Sequence, residues 1–246
     1  MIAHWNTPMP DHDLTTTLAE LAYGCRILYM EGHADMTLGH LSLRDPEGRG
    51  VWLKRSGIGL GEVRDIRDFV LIDFSGKRLS GDGRLHKEWP IHTEIMRQRT
   101  DIMVAGHSHP FHATAFSALE VELSAVTNEA VYLGGAPSRF CETTGLIDKP
   151  ALGESLATAL GSASTVLMRN HGISFVGPDI ATAVMMGLFL ERACRSQLAL
   201  LATGRAYTAT APAEIAAKRD EIFDPGLIET FWAFFKRRAD QAHDVH

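Results

Sequence analysis

Ile102-Met103-Val104-Ala105-Gly106-His107-Ser108-His109 is an apolar run that ends in two imidazoles. Its composition reads as a buried strand. Side chains alternate along a strand, so His107 and His109 project from the same face. Two parallel imidazoles are half of a metal site. A second apolar run, Thr165-Val166-Leu167-Met168, leads into the polar turn Asn170-His171-Gly172 and places a third imidazole at a strand end. Three His with one open position is the arrangement of a catalytic zinc-type site, because the open position is where a substrate oxygen binds. In a chain with twelve His, a His-x-His pair alone reads as readily as turn or core histidine. The strand-end His171 is what favours the metal reading.

Outward from this stretch the hydrophobic period changes several times. Residues 11–31 read as an amphipathic helix, with Leu14, Leu18, Leu21, Ala22, Cys25 and Leu28 at helical spacing, Asp11 or Asp13 as N-cap and Gly32 as terminator. Residues 40–44, 51–53 and 69–74 read as strands, and Phe74-Ser75-Gly76-Lys77-Arg78 as a hairpin turn. Residues 89–99 form a helix just ahead of the His-x-His strand, and a short helix starts at Pro110. Residues 125–133 are mixed and 151–160 helical. Residues 164–168 and 173–176 pair around His171, and 180–202 form a long helix followed by helices over 213–222 and 225–238. This order implies an α/β layered fold without the regular βαβ repeat of a dinucleotide-binding domain. Gly57-Ile58-Gly59-Leu60-Gly61 lacks the G-x-G-x-x-G spacing and is not followed by an apolar helix, so it is not read as a nucleotide loop.

The chain has 246 residues, 45% of them hydrophobic, enough to bury a full core, and residues 1–246 are read as a single domain. The net charge of -6 and the lack of a Lys/Arg block argue against a nucleic-acid partner. Local positive charge at Lys54-Arg55 and Lys87 suggests contacts to a small anionic substrate. Cys25, Cys141 and Cys194 lack CxxC spacing and suit a reducing compartment. The first residues carry no secretory pattern, and no apolar run approaches a membrane span. The expectation is a cytoplasmic protein with no membrane partner.

Gly39-His40-Leu41-Ser42-Leu43-Arg44, Arg55-Ser56-Gly57, Glu88-Trp89, Ala105-Gly106-His107-Ser108-His109 and Arg169-Asn170-His171-Gly172, in that order, resemble the class II aldolase/adducin family. The likeness runs from about Leu14 to Ala202, most of the chain. It implies a mixed, largely antiparallel central sheet flanked by helices, assembled as a homotetramer with active sites at subunit interfaces. It also implies one divalent metal ion per subunit, Zn2+ or Mn2+ with Fe2+ also accommodated, held by His107, His109 and His171. Glu88 becomes the catalytic carboxylate. Without the resemblance, Glu88 reads as a solvated helix-start carboxylate favoured by the dipole.

Family members include sugar-phosphate aldolases, epimerases, dehydratases and hydroxy-aromatic decarboxylases, and departures from the aldolase pattern guide the choice among them. Where the sugar-phosphate branch carries an Asn and a Ser-Ser pair around the phosphate, this chain has His40 and His86-Lys87, while the turn survives as Ser56-Gly57. Phosphate needs several small converging donors, whereas a planar carboxylate is met by Lys87 with Ser56 and His40. The aldolase tyrosine that protonates an aldehyde is matched here by Asn128, which lines the substrate site but supplies no proton; Tyr132 lies one helical turn on. The reading is therefore a metal-dependent lyase, a decarboxylase of a small non-phosphorylated hydroxy-aromatic carboxylate, with Glu88 or His112 handling the proton. The alternatives are an aldolase for a sugar phosphate or hydroxy-keto acid, a non-catalytic adducin-like module, and an Fe(II) oxygenase on the same scaffold.

Overall fold

The centre of the computed structural model, which describes residues 13–243, is an open eight-stranded sheet. In chain order the elements are α1 (Leu14–Leu28), β1 (His40–Arg44), β2 (Val51–Lys54), β3 (Phe69–Ile72), β4 (Arg78–Ser80), α2 (Trp89–Gln98), β5 (Val104–Ser108), α3 (Phe111–Ser117) and α4 (Asn128–Tyr132). They continue with β6 (Ser138–Phe140), α5 (Pro150–Leu160), β7 (Thr165–Met168), β8 (Gly172–Gly177), α6 (Ile180–Ala202), α7 (Pro212–Ile222) and α8 (Pro225–His243). The strand order is β4-β3-β2-β1-β5-β8-β7-β6. Every neighbouring pair is antiparallel except β6 with β7. This is the mixed, largely antiparallel sheet expected.

Alternation along the central strands sorts side chains onto two buried faces. Leu41, Leu43, Val104, Ile173 and Phe175 pack with α1 and α6 in one core, which α8 joins through Ile228, Trp232 and Phe235. Ala105, Val166, Met168 and Val176 point the other way and meet Ile91, Ile95, Leu156 and Leu160 of α2 and α5. Because β5 is covered on both faces, it reads as a nearly continuous apolar run until the histidines begin. Register places His40 directly opposite His107, and Ser42 opposite Ala105. On β5's other side, His107 faces Ser174 and Gly106 faces Phe175.

Element boundaries differ from the sequence reading where local geometry intervenes. The first helix ends at Leu28 in a wider turn over Tyr29–His33, with Gly32 at φ +83°, a left-handed conformation open to glycine. Asp13 stands at the N-cap position, and the alternative Asp11 lies outside the described residues, as does the N-terminal stretch read for a secretory signal. Ile102 precedes β5, its carbonyl accepting from the Arg44 guanidinium at 2.9 Å. The edge strand β6 is too short for its period to show in sequence. The long helix 180–202 matches its expected span, and Asp179 caps it by accepting from the Thr182 N–H at 2.7 Å. Among the described residues, no helix is long and apolar enough to cross a membrane.

Gly106 illustrates how tightly the centre is packed. A Cβ at this position would run into the Phe175 ring and lie 3.0 Å from Leu41. Gly106→Ala is expected to lower unfolding free energy by about 1–3 kcal/mol, read by denaturant titration. Gly135→Ala, where a Cβ meets nothing within 4 Å, leaves the midpoint unchanged in the same assay.

Candidate metal and catalytic site

Three strand ends and one helix start converge beside the sheet. His107 lies within β5 and His109 follows its last residue, Ser108. His171 sits in the β7–β8 turn, where Asn170 adopts φ +55°, a left-handed conformation that Asn tolerates better than most residues. Glu88 occupies the N-cap position of α2, and Pro90 favours the helical turn that follows. The three imidazoles each bring a nitrogen to within 4.8 Å of the others. Glu88 lies between them, its Oε2 3.5 Å from His107 Nε2 and its Oε1 3.5 Å from His171 Nε2.

Hydrogen bonds on the far side of two rings determine which nitrogen is bare. His107 Nδ1 donates to the Ile173 carbonyl at 2.9 Å, and His109 Nδ1 donates to Asp35 Oδ2 at 3.1 Å. Each neutral ring has one proton, so each Nε2 is left with a lone pair. The two Nε2 atoms are 3.0 Å apart. Two lone pairs at that distance repel unless a cation lies between them. A zinc ion bound tetrahedrally at about 2.1 Å separates its ligand atoms by about 3.4 Å, close to the spacings here. The donor set therefore fits a divalent metal, and the Asp35–His109 and Ile173–His107 contacts are of the kind that orient metal-binding imidazoles.

Burial favours the neutral ring at two of the three donors, His107 and His171. It pushes His107 well below the usual imidazole range and His171 down to about 4, in each case reinforced by the neighbouring imidazoles. Neutral rings are the metal-binding form. Burial raises Glu88 above the ordinary carboxyl range, opposed by the Ile147 N–H that donates to Oε1 at 2.9 Å. The carboxyl therefore holds a proton more readily than a solvated one does.

His40 is brought to the same place, buried, with Nε2 4.0 Å from Glu88 Oε2. It packs against His86 at 4.4 Å and His107 at 5.1 Å between ring centroids. The other expected substrate contacts are more peripheral. Ser56 is half-buried and bridged to Arg84, Gly57 is exposed at φ +90°, and Lys87 is exposed. Asn128 lines a different cavity of about 600 Å³ with Tyr132, Phe189, Arg192 and Phe231, and none of the three imidazoles lines it. Tyr132 packs among Phe189, Phe223 and Phe231. His112 is held by Glu191 at 2.6 Å. Of the basic pair expected to contact anions, Lys54 is fully buried and donates to the Arg55 and Ile58 carbonyls, while Arg55 pairs with Asp68. Sequence reasoning passed over Asp35, for which no signal exists, and His92, which stands one helical turn after Glu88 and was recoverable from that spacing.

Comparison with known proteins shows the family and the fold. The family model described as Class II Aldolase and Adducin N-terminal domain matches residues 19–198. The chain is similar to a 3,4-dihydroxyphthalate decarboxylase of Rhodococcus jostii strain RHA1, with 28% identity over 80% of this chain and 85% of that protein. It is also similar to an L-fuculose phosphate aldolase of Methanococcus maripaludis, with 28% identity over 71% of this chain and 92% of the other. Among solved structures, the L-fuculose 1-phosphate aldolase from Glaciozyma antarctica PI12 superposes with a TM-score of 0.81 at 23% identity, covering 96% of this chain and 95% of that one, a likeness of fold. Given a sheet with imidazoles at its strand ends and a family match across most of its length, the chain belongs to the class II aldolase and adducin N-terminal domain family.

Proposed function

We propose that this protein is a divalent-metal-dependent carbon–carbon lyase that decarboxylates a small, non-phosphorylated hydroxy-aromatic carboxylate. His107, His109 and His171 hold the metal, and Glu88 handles the proton. The observation that carries the decarboxylase reading is the wall beside Glu88. His40 and His86 are both buried, and burial holds both below the usual imidazole range, His86 at about 3. Two neutral imidazoles make this wall aromatic and uncharged. They offer neither the positive charge nor the converging small donors that a phosphate dianion needs. The Rhodococcus relative is named for a dihydroxylated aromatic dicarboxylate, which supports the same choice.

When bound, the divalent metal supplies a Lewis acid that takes up the negative charge developing on the substrate as CO2 departs. Glu88 stands 3.5 Å from His107 and His171, so its carboxyl reaches the reacting carbon's side of the site and delivers a proton there. The Ile147 N–H fixes Oε1 and leaves Oε2 for that transfer. His107 and His109 keep their positions through Ile173 and Asp35. Lys87 and Ser56 receive a second anionic group at the outer edge. Tyr132 is held among Phe189, Phe223 and Phe231 and Asn128 has no acidic proton to give, so neither is assigned the role of aldehyde acid. We read residues 1–246 as one domain and infer a homotetramer with sites at subunit interfaces. The tetramer follows from the family resemblance.

Two measurements test the proposal. CO2 release under nitrogen by zinc- or manganese-loaded protein, across ortho-hydroxy aromatic carboxylates, is expected for wild type and to fall by about 10²–10⁴-fold in Glu88→Gln. Silence of the wild type with metal bound would overturn decarboxylation in favour of aldol cleavage, sought as aldehyde from hydroxy-keto acids and sugar phosphates. Metal content gives the second readout. His107→Ala is expected to lose stoichiometric zinc, and Asp35→Ala to weaken zinc binding by about 10–100-fold through the loosened His109 ring.

A further inference from the structure

Behind His40 lies a buried chain of polar groups that the metal site does not use. His40 Nδ1 is 2.6 Å from His92 Nε2, and His92 Nδ1 is 2.7 Å from Ser42 Oγ. Ser42 Oγ in turn lies 3.2 Å from the Ala105 carbonyl. His92 and Ser42 have no exposed surface, and His40 is 2% exposed.

Hydrogen counting along this chain sets the tautomers. Ser42 has one hydroxyl proton, and its geometry directs that proton to the Ala105 carbonyl, which can only accept. Ser42 Oγ then accepts from His92 Nδ1–H. A neutral His92 has no second proton, so its Nε2 accepts from His40 Nδ1–H. A neutral His40 is consequently left with a bare Nε2 on the side of Glu88. An oxygen about 2.8 Å from both His40 Nε2 and Glu88 Oε2 closes a triangle across their 4.0 Å separation. His86 packs against His40 with ring centroids 4.4 Å apart, and its buried Nε2 has no hydrogen-bond partner among the described residues, so the wall retains unused polar capacity.

We propose that Ser42 and His92 are positioning residues that hold His40 as a hydrogen-bond acceptor, and that this acceptor selects substrates bearing a hydroxyl proton beside Glu88. A bare nitrogen cannot donate to a carboxylate or phosphate oxygen, so His40 recognises a hydroxyl instead of the carboxylate expected from sequence. The inference rests on the reading of this cluster as the substrate site, but the relay itself is observable without turnover.

The test uses the full chain labelled with 15N-histidine, with His40 and His92 assigned through His40→Asn and His92→Phe. Long-range proton–nitrogen spectra are expected to show both rings protonated at Nδ1, in the metal-free and the zinc-loaded protein. A proton on His40 Nε2, or a zinc-induced coordination shift at that atom, overturns the proposal. Binding to zinc-loaded protein under nitrogen is then compared for pyrogallol and 3-methoxycatechol, which share a vicinal diol and carry no carboxylate to lose. Wild type is expected to prefer pyrogallol by about tenfold, the value of roughly one hydrogen bond. The preference should fall below about threefold in Ser42→Ala and His92→Phe, with affinity for 3-methoxycatechol retained. Ser42→Ala keeps the test open if His92→Phe fails to fold. An unchanged preference in both variants overturns the positioning role. If neither probe binds while both rings are protonated at Nδ1, the aromatic-substrate reading falls and the selectivity with it.

Discussion

The pairing of β5 between β1 and β8 is the constraint on which this molecule depends. Antiparallel register sets His107 opposite His40 on one side and lets its ring reach the Ile173 carbonyl on the other. A slip of one residue would turn His107 and His109 into the opposite face, among Leu41, Val104 and Phe175. Such a slip is resisted from both sides because apolar side chains of β5 and its neighbours alternate between two buried cores. Gly106 adds a steric key, since only a residue without Cβ leaves room for the Phe175 ring.

A buried cluster of this polarity is costly to fold unless its groups find partners. Most do: Glu88 accepts from Ile147, His107 donates to Ile173, and His92 is bracketed by His40 and Ser42. The exceptions are informative. The His107 and His109 lone pairs face one another, and His171 Nδ1 and His86 Nε2 lack partners among the described residues. Local conflict of this kind at one point in an otherwise consistent fold is what a ligand-binding site looks like before its ligand is considered. The same burial that makes the cluster costly favours the neutral form of His107, His171 and Glu88, so the folding cost and the proposed chemistry share one physical origin.

Helices facing the core and strands beside the histidines were legible because their periods are local properties. The span 180–202, the β7–β8 pair and the helix preceding β5 follow from spacing and from Asp, Gly and Pro signals. The three-residue β6 was not, since it is too short to show a period and is defined by its pairing with β7, and neither was the early end of α1, where the chain widens into the Tyr29–His33 turn. At the site, His107, His109, His171 and Glu88 could be named from motif and resemblance. Lys54 shows the limit of such reading, because a basic residue in a turn-rich stretch gave no indication that its stem and ammonium are wholly enclosed.

What the sequence determined by itself was the class of the fold and the residues of a candidate donor set, because hydrophobic period and residue type are written along the chain. Only the tertiary structure decided how those donors meet. Asp35 reaches His109 from a loop 74 residues away, and His92 reaches Ser42 across 50. Which ring nitrogen is bare, and hence whether an imidazole binds a cation or receives a hydroxyl, depends on the hydrogen bond made by its other nitrogen. That partner is chosen by packing, not by sequence neighbours.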